Sequence, residues 1–270
     1  MCSKMVVQVS LVKLSSGYEM PMLGLGTYAR KADPGQFRQA VEWAIDAGYR
    51  HIDTASCYKN EEEIGEGIAN KIKQGVVNRQ DLFVTTKGKG EDTGIDHVET
   101  WRGMEEAVKL GLTRSIGVSN FNEEQLERLY KSANIKPVVN QFEINPTLTQ
   151  HKLVNFCKDH SIVPVAYTPL GLISEARPEF IGKDVIKTDP KLGELAQKYG
   201  KTRAQIALRY LIQRGIPALP KSFTKTRIEE NLNIFDFELT NTEMDIVDSY
   251  NIDHRCVPGT VFANCKNYPF

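Results

Sequence analysis

The sequence has no excess of charge of either sign, because its 34 lysines and arginines are balanced by 34 aspartates and glutamates. A chain without a net positive field is not expected to attract nucleic acid or anionic lipid. The sequence also lacks an apolar run of about 18 residues, the length that a membrane-spanning helix needs. These absences argue against nucleic-acid and membrane partners and leave a small molecule as the expected ligand.

Cysteine is scarce and follows no recognisable pattern. The five cysteines form no CxxC pair and no Cys/His spacing typical of zinc. They are Cys2, Cys57, Cys157, Cys256 and Cys265. Polar residues interrupt the apolar N-terminal positions 1–16, which therefore resemble a strand more than a signal peptide. We expect reduced thiols, no bound metal and a cytoplasmic location.

A Rossmann glycine fingerprint is absent too, because Gly24-x-Gly26 has neither the third glycine nor the associated acidic residue. The chain instead alternates strand-like and helix-like segments, which predicts an α/β fold with parallel strands. Its 270 residues suit one barrel domain spanning 1–270. The seven strand-like runs begin near Met22, Tyr49, Leu82, Arg114, Val138, Val163 and Pro217.

Helix starts can be predicted from capping residues. Asp33-Pro34 places a carboxylate before a proline, a pattern typical of a helix N-terminus. Acidic residues 61–63 similarly indicate the start of a second helix. Only one helix, predicted over residues 100–111, lies between the strands that begin near Leu82 and Arg114.

Four segments together resemble the aldo-keto reductase family, whose fold is an eight-stranded βα barrel. They are Gly24-Leu25-Gly26-Thr27, His51-Ile52-Asp53-Thr54-Ala55, Asp81-Leu82-Phe83-Val84-Thr85-Thr86-Lys87 and Arg114-Ser115-Ile116-Gly117-Val118-Ser119-Asn120. The resemblance extends from about Leu11 to Phe270 and is interrupted just after Lys87. It implies an aldo-keto-reductase-like TIM barrel.

The interruption removes what the family has at that point: a helix, the fourth barrel strand and a histidine near the end of that strand. We therefore expect an incomplete barrel with seven core strands. Splicing, an incomplete gene model and engineering would each explain the shorter chain. An alternative is that Phe180 to Ile186 supplies a substitute strand, although Gly182 and the charged Lys183-Asp184 pair interrupt it.

The resemblance identifies Asp53, Tyr58 and Lys87 as three members of the family's catalytic tetrad. It implies that Tyr58 donates a proton to a carbonyl oxygen, that Lys87 favours negative charge on the tyrosine oxygen, and that Asp53 pairs with the lysine. Considered singly, Asp53 is also compatible with a strand-end hydrogen-bond acceptor, Tyr58 with a loop tyrosine and Lys87 with a solvated lysine. Lys89 is a second candidate for the lysine.

The fourth tetrad member, a histidine, has no counterpart in the chain. Of the five histidines, only His97 falls in the corresponding interval, and it resembles part of the family's mobile loop. Replacement of the missing group by His97 is an open alternative. Loss of a positioned acid–base group lowers rates by about 10² to 10⁴.

The resemblance also implies a dinucleotide site. Its predicted members are Thr27, Ser119, Asn120, Gln141, Tyr167, Thr168, Leu170, Lys221, Ser222, Thr224, Arg227, Glu230 and Asn231. Arginine, lysine and hydroxyl groups near Arg227 suit a 2′-phosphate, so NADPH is expected in preference to NADH. Alternatively, Thr224 simply caps the helix that carries Arg227. Leu172 replaces a frequent serine and weakens one phosphate contact.

Tyr28 occupies a position in the predicted substrate pocket, which Trp101, Phe121 and the C-terminal residues around Val261 could also line. The resulting expectation is NADPH-dependent reduction of aldehydes or ketones to alcohols, with turnover lowered by the missing histidine. The alternative is a non-catalytic variant that binds dinucleotide or a protein partner. We expect a monomer unless the incomplete barrel associates.

Overall fold

The computed structural model describes residues 9–29, 31–88, 95–173, 189–259 and 269. The strands are β1 (Leu11–Lys13), β2 (Glu19–Pro21), β3 (Leu25–Gly26), β4 (His51–Asp53), β5 (Phe83–Thr85), β6 (Val118–Ser119), β7 (Val139–Glu143) and β8 (Val163–Tyr167). The helices are α1 (Gln36–Ala47), α2 (Glu61–Lys73), α3 (His97–Lys109), α4 (Glu123–Ser132), α5 (His151–Asp159), α6 (Pro190–Tyr199), α7 (Arg203–Gln213), α8 (Lys225–Leu232) and α9 (Asn241–Asp248).

The parallel strands form the centre of a TIM-barrel-like α/β fold. β3, β4 and β5 pair in that order, and β6, β7 and β8 form a second parallel set. Ala218 joins the two sets, because it makes parallel bridges to both Leu23 and Ala166. The sheet therefore runs continuously from β6 through β8 and Ala218 to β3 and β5.

A short antiparallel hairpin, β1 and β2, packs against one end of the barrel. Leu14 and Met20 join Val163, Val165 and Leu219 in a buried apolar cluster there. This cluster holds the hairpin across that end of the barrel, since burying these side chains removes apolar surface from water.

The strands at the two ends of the sheet, β5 and β6, do not pair with each other in the described residues. All residues of both strands are only partly buried, whereas the whole of β4 is buried. Between them, α3 is the one regular element in the described part of the chain. The segment 180–186, considered as a substitute strand, lies outside the described residues.

Two sequence-based boundaries are corrected by the structure. Asp33 does not cap α1, which begins at Gln36 after Gly35. The Glu63 carboxylate of α2 instead accepts the backbone N–H groups of Gly35 and Phe37 at 3.2 Å each. The strand expected from Arg114 is confined to β6, which begins at Val118.

Cys57, Cys157 and Cys256 form no disulfide bond in the described part of the chain. Cys2 and Cys265 lie outside the described residues. Within the described ranges, no helix combines the length and apolarity needed to span a membrane.

Candidate active site

Asp53 lies at the carboxyl end of β4 and connects two predicted site residues. Its Oδ1 atom accepts a hydrogen bond from Lys87 Nζ at 2.6 Å, and its Oδ2 atom accepts one from Gln141 Nε2 at 2.8 Å. The Thr27 hydroxyl donates to the Asp53 backbone carbonyl at 2.8 Å. The predicted Asp53–Lys87 pair is therefore present, and the buried carboxylate is satisfied on both oxygens.

Tyr58 ends a short 3₁₀ helix that follows β4. The Lys87 Nζ atom lies 5.5 Å from the centroid of its ring, and the Tyr28 ring centroid is 5.1 Å away. The structure therefore brings together Tyr58 and Lys87, with Tyr28 on the half-exposed side of the cluster. This arrangement lies at the strand ends where barrel enzymes carry their active sites.

The effect of this environment on the acidity of Tyr58 differs from the sequence-based expectation. Burial of the phenol, followed by the nearby Asp53 carboxylate, raises the pKa of Tyr58 above its ordinary value. Both effects disfavour a phenolate, and Asp53 also neutralises the Lys87 ammonium that was expected to stabilise it. Tyr58 thus holds its proton firmly.

The ends of β6, β7 and β8 bring the second group of predicted residues together. Asn120 has a left-handed backbone conformation with φ 59°, and its N–H donates to the Gln141 carbonyl at 2.9 Å. Ser119 Oγ donates to the same carbonyl at 2.9 Å. The Tyr167 hydroxyl donates to Asn120 Oδ1 at 2.9 Å. Two amide side chains and an aromatic ring therefore surround the centre of the barrel mouth.

Thr168 and Leu170 occupy the loop directly after β8. Thr168 has φ 49°, and its carbonyl accepts the Gly171 N–H at 3.0 Å. A Cβ atom on Gly171 would lie 2.5 Å from Asn145 Oδ1, so the tight turn requires glycine. The predicted loop residues therefore line a turn at the barrel mouth.

The remaining predicted residues surround the N-terminus of α8. The Thr224 side chain makes no capping hydrogen bond; Ser222 Oγ instead accepts the Thr224 N–H at 3.0 Å. Lys221 lies over the ring of Phe223, and the exposed Arg227 is in the first turn of the helix. The exposed Glu230 and the buried Asn231 lie in the C-terminal half of α8. The alternative role of Thr224 as a side-chain cap is not seen.

The histidines lie elsewhere. Among hydrogen bonds between described residues, none joins a histidine to Asp53, Tyr58 or Lys87. His97 begins α3 and packs edge-on against Phe121, with the ring centroids 5.2 Å apart. Its Nε2 atom makes no hydrogen bond, and burial lowers its pKa.

Trp101 does not line a pocket, contrary to expectation. It is buried between α3 and α4 against Ile116 and Leu129, and its indole N–H donates to the Ile135 carbonyl at 2.9 Å. Its position in the interior stripe of α3 explains the error, because aromatic residues at helical spacing commonly pack cores. Val261 lies outside the described residues.

Sequence reasoning missed Glu143 at the end of β7. This fully buried carboxylate accepts the backbone N–H groups of Cys256 and Val257 at 2.7 Å and 2.8 Å. It thereby anchors the C-terminal segment to the barrel mouth. The alternation of side chains along a strand could have predicted this position. Glu143 is two positions after Gln141, so both side chains project to the same side of the strand.

These elements define a parallel βα barrel with a tyrosine, a lysine and a carboxylate together at the strand ends, an arrangement suited to proton transfer. No group of three or more potential metal ligands occurs in the described part of the chain. The polar amides of Asn120 and Gln141 and the uncapped start of α8 supply the donors that a dinucleotide would need.

Comparison with known proteins identifies the family. The model described as "Aldo/keto reductase family" matches residues 22–98 and 91–252. The Bombyx mori protein Aldo-keto reductase AKR2E4 is 41% identical over 308 positions, covering 98% of this chain and all of the relative. Estradiol 17 beta-dehydrogenase 5 from Mus musculus is 38% identical, with 96% of this chain and 97% of the relative covered.

The same silkworm protein provides a structural comparison. Its crystal structure, in complex with NADP, superposes with a TM-score of 0.93 at 40% identity and covers 98% of this chain and 100% of that one. The chain therefore belongs to the aldo/keto reductase family of oxidoreductases.

Proposed function

We propose that this protein reduces aldehydes or ketones to alcohols with NADPH. The observation that carries the proposal is the contact network of Asp53, Lys87 and Gln141, with Tyr58 beside the lysine. It joins a proton-donating cluster directly to an amide that faces the centre of the barrel mouth. The NADP bound in the silkworm relative supports the choice of cofactor.

The start of α8 fits the extra phosphate of NADPH. The first-turn N–H groups of a helix attract anions, and here Thr224 provides no side-chain cap that would compete for them. Lys221, Lys225 and Arg227 add positive charge around the same helix end, and no acidic residue lies in the first turn. Asn120, Gln141 and Tyr167 would hold the nicotinamide end.

Tyr58 is the proposed proton donor to the carbonyl oxygen of the substrate. The phenol is protonated near neutral pH, and its raised pKa has to be offset as the proton is transferred. Asp53 holds Lys87 in place at 2.6 Å, and the lysine stabilises the charge that develops on the phenol oxygen only to the extent that this ion pair leaves its own charge uncompensated. When bound, the reduced nicotinamide supplies the hydride to the carbonyl carbon.

We further propose that the barrel has seven core strands and lacks the helix–strand unit with the tetrad histidine. The lack of pairing between β5 and β6 supports this interpretation. The family model also supports it, because it matches in two segments, residues 22–98 and 91–252. The alignment with the silkworm relative supports it as well, because it extends over 308 positions although this chain has 270 residues. Turnover would then be lower than in a complete family member by about 10² to 10⁴.

Cofactor binding should be tested first, on protein shown to be folded by circular dichroism and size-exclusion chromatography. We expect NADPH to bind more tightly than NADH, and Arg227→Ala to weaken NADPH binding while leaving NADH binding nearly unchanged. The NADH titration is the internal control for general damage. Equal affinities in the starting protein would contradict the assigned 2′-phosphate site.

Turnover is tested separately by following NADPH absorbance with a panel of aromatic aldehydes and ketones. Tyr58→Phe should abolish the remaining turnover without changing NADPH affinity, because it removes the proton and retains the ring. Tyr18→Phe, a change in the exposed hairpin, is the matched control. Binding without turnover in the starting protein would favour a non-catalytic dinucleotide-binding protein, and turnover equal to a complete relative would refute the impairment.

A further inference from the structure

The outer face of α3 is exposed and carries no charge. Thr100 and Gly103 are exposed, and Leu110, just beyond the helix, has 65% of its surface accessible. With 3.6 residues per turn, these residues and the partly buried Ala107 fall within an arc of about 80°. A Cβ atom on Gly103 would meet nothing within 4 Å among the described residues, so no described element covers this face at Gly103.

The contacts that hold α3 are all directed toward α4. Glu105 accepts the backbone N–H groups of Asn134 and Ile135 at 2.7 Å and 2.9 Å, and Trp101 packs against Leu129. No hydrogen bond or ion pair between described residues joins α3 to α2 or β5. In the strands that precede and follow α3 in the chain, β5 and β6, all residues are only partly buried.

Four charged residues line one edge of the uncovered face: Glu99, Arg102, Glu106 and Lys109. They also occupy an arc of about 80°, adjacent to the arc of the uncharged face. Glu106 and Lys109 form an exposed ion pair at 3.5 Å, while the side chains of Glu99 and Arg102 make no hydrogen bond or ion pair with a described residue. Their signs alternate along the helix.

When two copies of this helix run in opposite directions, each charge can lie beside a charge of opposite sign on the other copy. In an antiparallel pair of identical helices related by a two-fold axis, the same edge of each helix faces the other. A two-fold axis at the level of Met104 places Arg102 opposite Glu106 of the second copy and Glu99 opposite its Lys109. Both pairings require the axis at the same residue, so one arrangement satisfies all four charges.

We propose that the uncovered face of α3 binds a second copy of this chain, forming a symmetric dimer through antiparallel α3 helices. In this arrangement the uncharged residues of the two helices alternate along the helix axis. Residues 100, 103, 107 and 110 of one copy lie at the levels of residues 108, 105, 101 and 98, respectively, of the other. The inference does not depend on the proposed catalytic function.

Site-directed cross-linking tests the geometry. Met104 is 39% exposed on the opposite edge of the face, at the level of the two-fold axis. Met104→Cys should therefore give a covalent dimer with a short bis-maleimide. Leu110→Cys is the matched control, because the two copies of residue 110 lie about 18 Å apart along the helix axes and should not be joined. The unsubstituted protein measures the background from its native thiols.

Charge exchange tests the register in solution. Sedimentation equilibrium should show a dimer for the starting protein, and Arg102→Glu should raise the dimer dissociation constant about tenfold, because symmetry places the change in two contacts. The double substitution Arg102→Glu/Glu106→Arg should restore association. Circular dichroism of each variant separates weakened association from loss of fold.

Four results would each overturn the proposal. The first three are a folded monomer at all concentrations, equal cross-linking of Met104→Cys and Leu110→Cys, and failure of the double substitution to restore association. The fourth is a polydisperse aggregate, since a two-fold contact closes on itself and cannot grow.

Discussion

Mild acid should destabilise the fold through His51, a fully buried residue of β4. The Nε2 atom of His51 lies 3.1 Å from Thr85 Oγ1, and its Nδ1 atom lies 3.4 Å from the Pro21 carbonyl oxygen. Its ring packs edge-on against Phe83. Gly24 is required beside it, because a Cβ atom there would lie 2.8 Å from the imidazole.

Burial lowers the pKa of His51 from 6.5 to about 4, although the nearby Asp53 carboxylate opposes the shift. The unfolded chain therefore takes up a proton at higher pH than the folded protein, and the free energy of unfolding decreases as the pH falls from about 6.5 to 4. Each unit of pKa shift corresponds to about 1.4 kcal/mol. Between pH 7 and pH 5 the loss attributable to His51 is about 2 kcal/mol.

Urea unfolding at pH 7 and pH 5 would measure this loss. His51→Gln removes the titrating group, so the difference between the two pH values should shrink by about 2 kcal/mol. The absolute stability of the variant will also change, and only the pH dependence is compared. His160→Gln, which removes a partly buried imidazole after α5, controls for the loss of a histidine as such. An unchanged pH dependence in His51→Gln would refute the reasoning.

Two further predictions concern buried carboxylates. Burial of Glu243 opposes its ionisation, but hydrogen bonds from Lys198, Tyr199 and Thr240 outweigh it and lower its pKa to about 2. Its stabilising contribution is therefore present above about pH 4.5 and lost as the pH falls toward 2. In urea unfolding, Glu243→Gln should lower the free energy of unfolding by about 1 to 3 kcal/mol at pH 7 but by little at pH 2. Glu143→Gln should release the C-terminal segment, so limited proteolysis should cut near residue 256 faster while the global unfolding midpoint changes less.

Local hydrophobic patterns indicated where several strands end, whereas the roles of the residues at those ends were implied by the family resemblance. Asp53 ends a strand, Lys87 follows the next one, and parallel strands bring their carboxyl ends to one side of the sheet. Their ion pair could therefore be expected before the structure was known. The resemblance to the family also implied a shared site for Asn120, Gln141 and Tyr167, and each of them lies near the end of its strand.

Other features depend on residues that are distant in sequence. The start of α1 is set by Glu63 of a different helix, and no local pattern near Asp33 indicates that donor–acceptor pair. Glu143 bonds to backbone groups more than a hundred positions away, which carry no residue-specific signal. The acidity of Tyr58 likewise depends on burial, which reverses the effect expected from Lys87 alone.

The sequence by itself determined the alternation of strands and helices, since hydrophobic period is a local property, although the starts of α1 and β6 differ from those expected. Tertiary structure alone decided how those groups interact. The depth of burial of His51, the neutralisation of Lys87 by Asp53 and the uncovered face of α3 all depend on what lies opposite in space. Solvation and Coulomb energies vary steeply with that environment, so residue identity alone does not specify them.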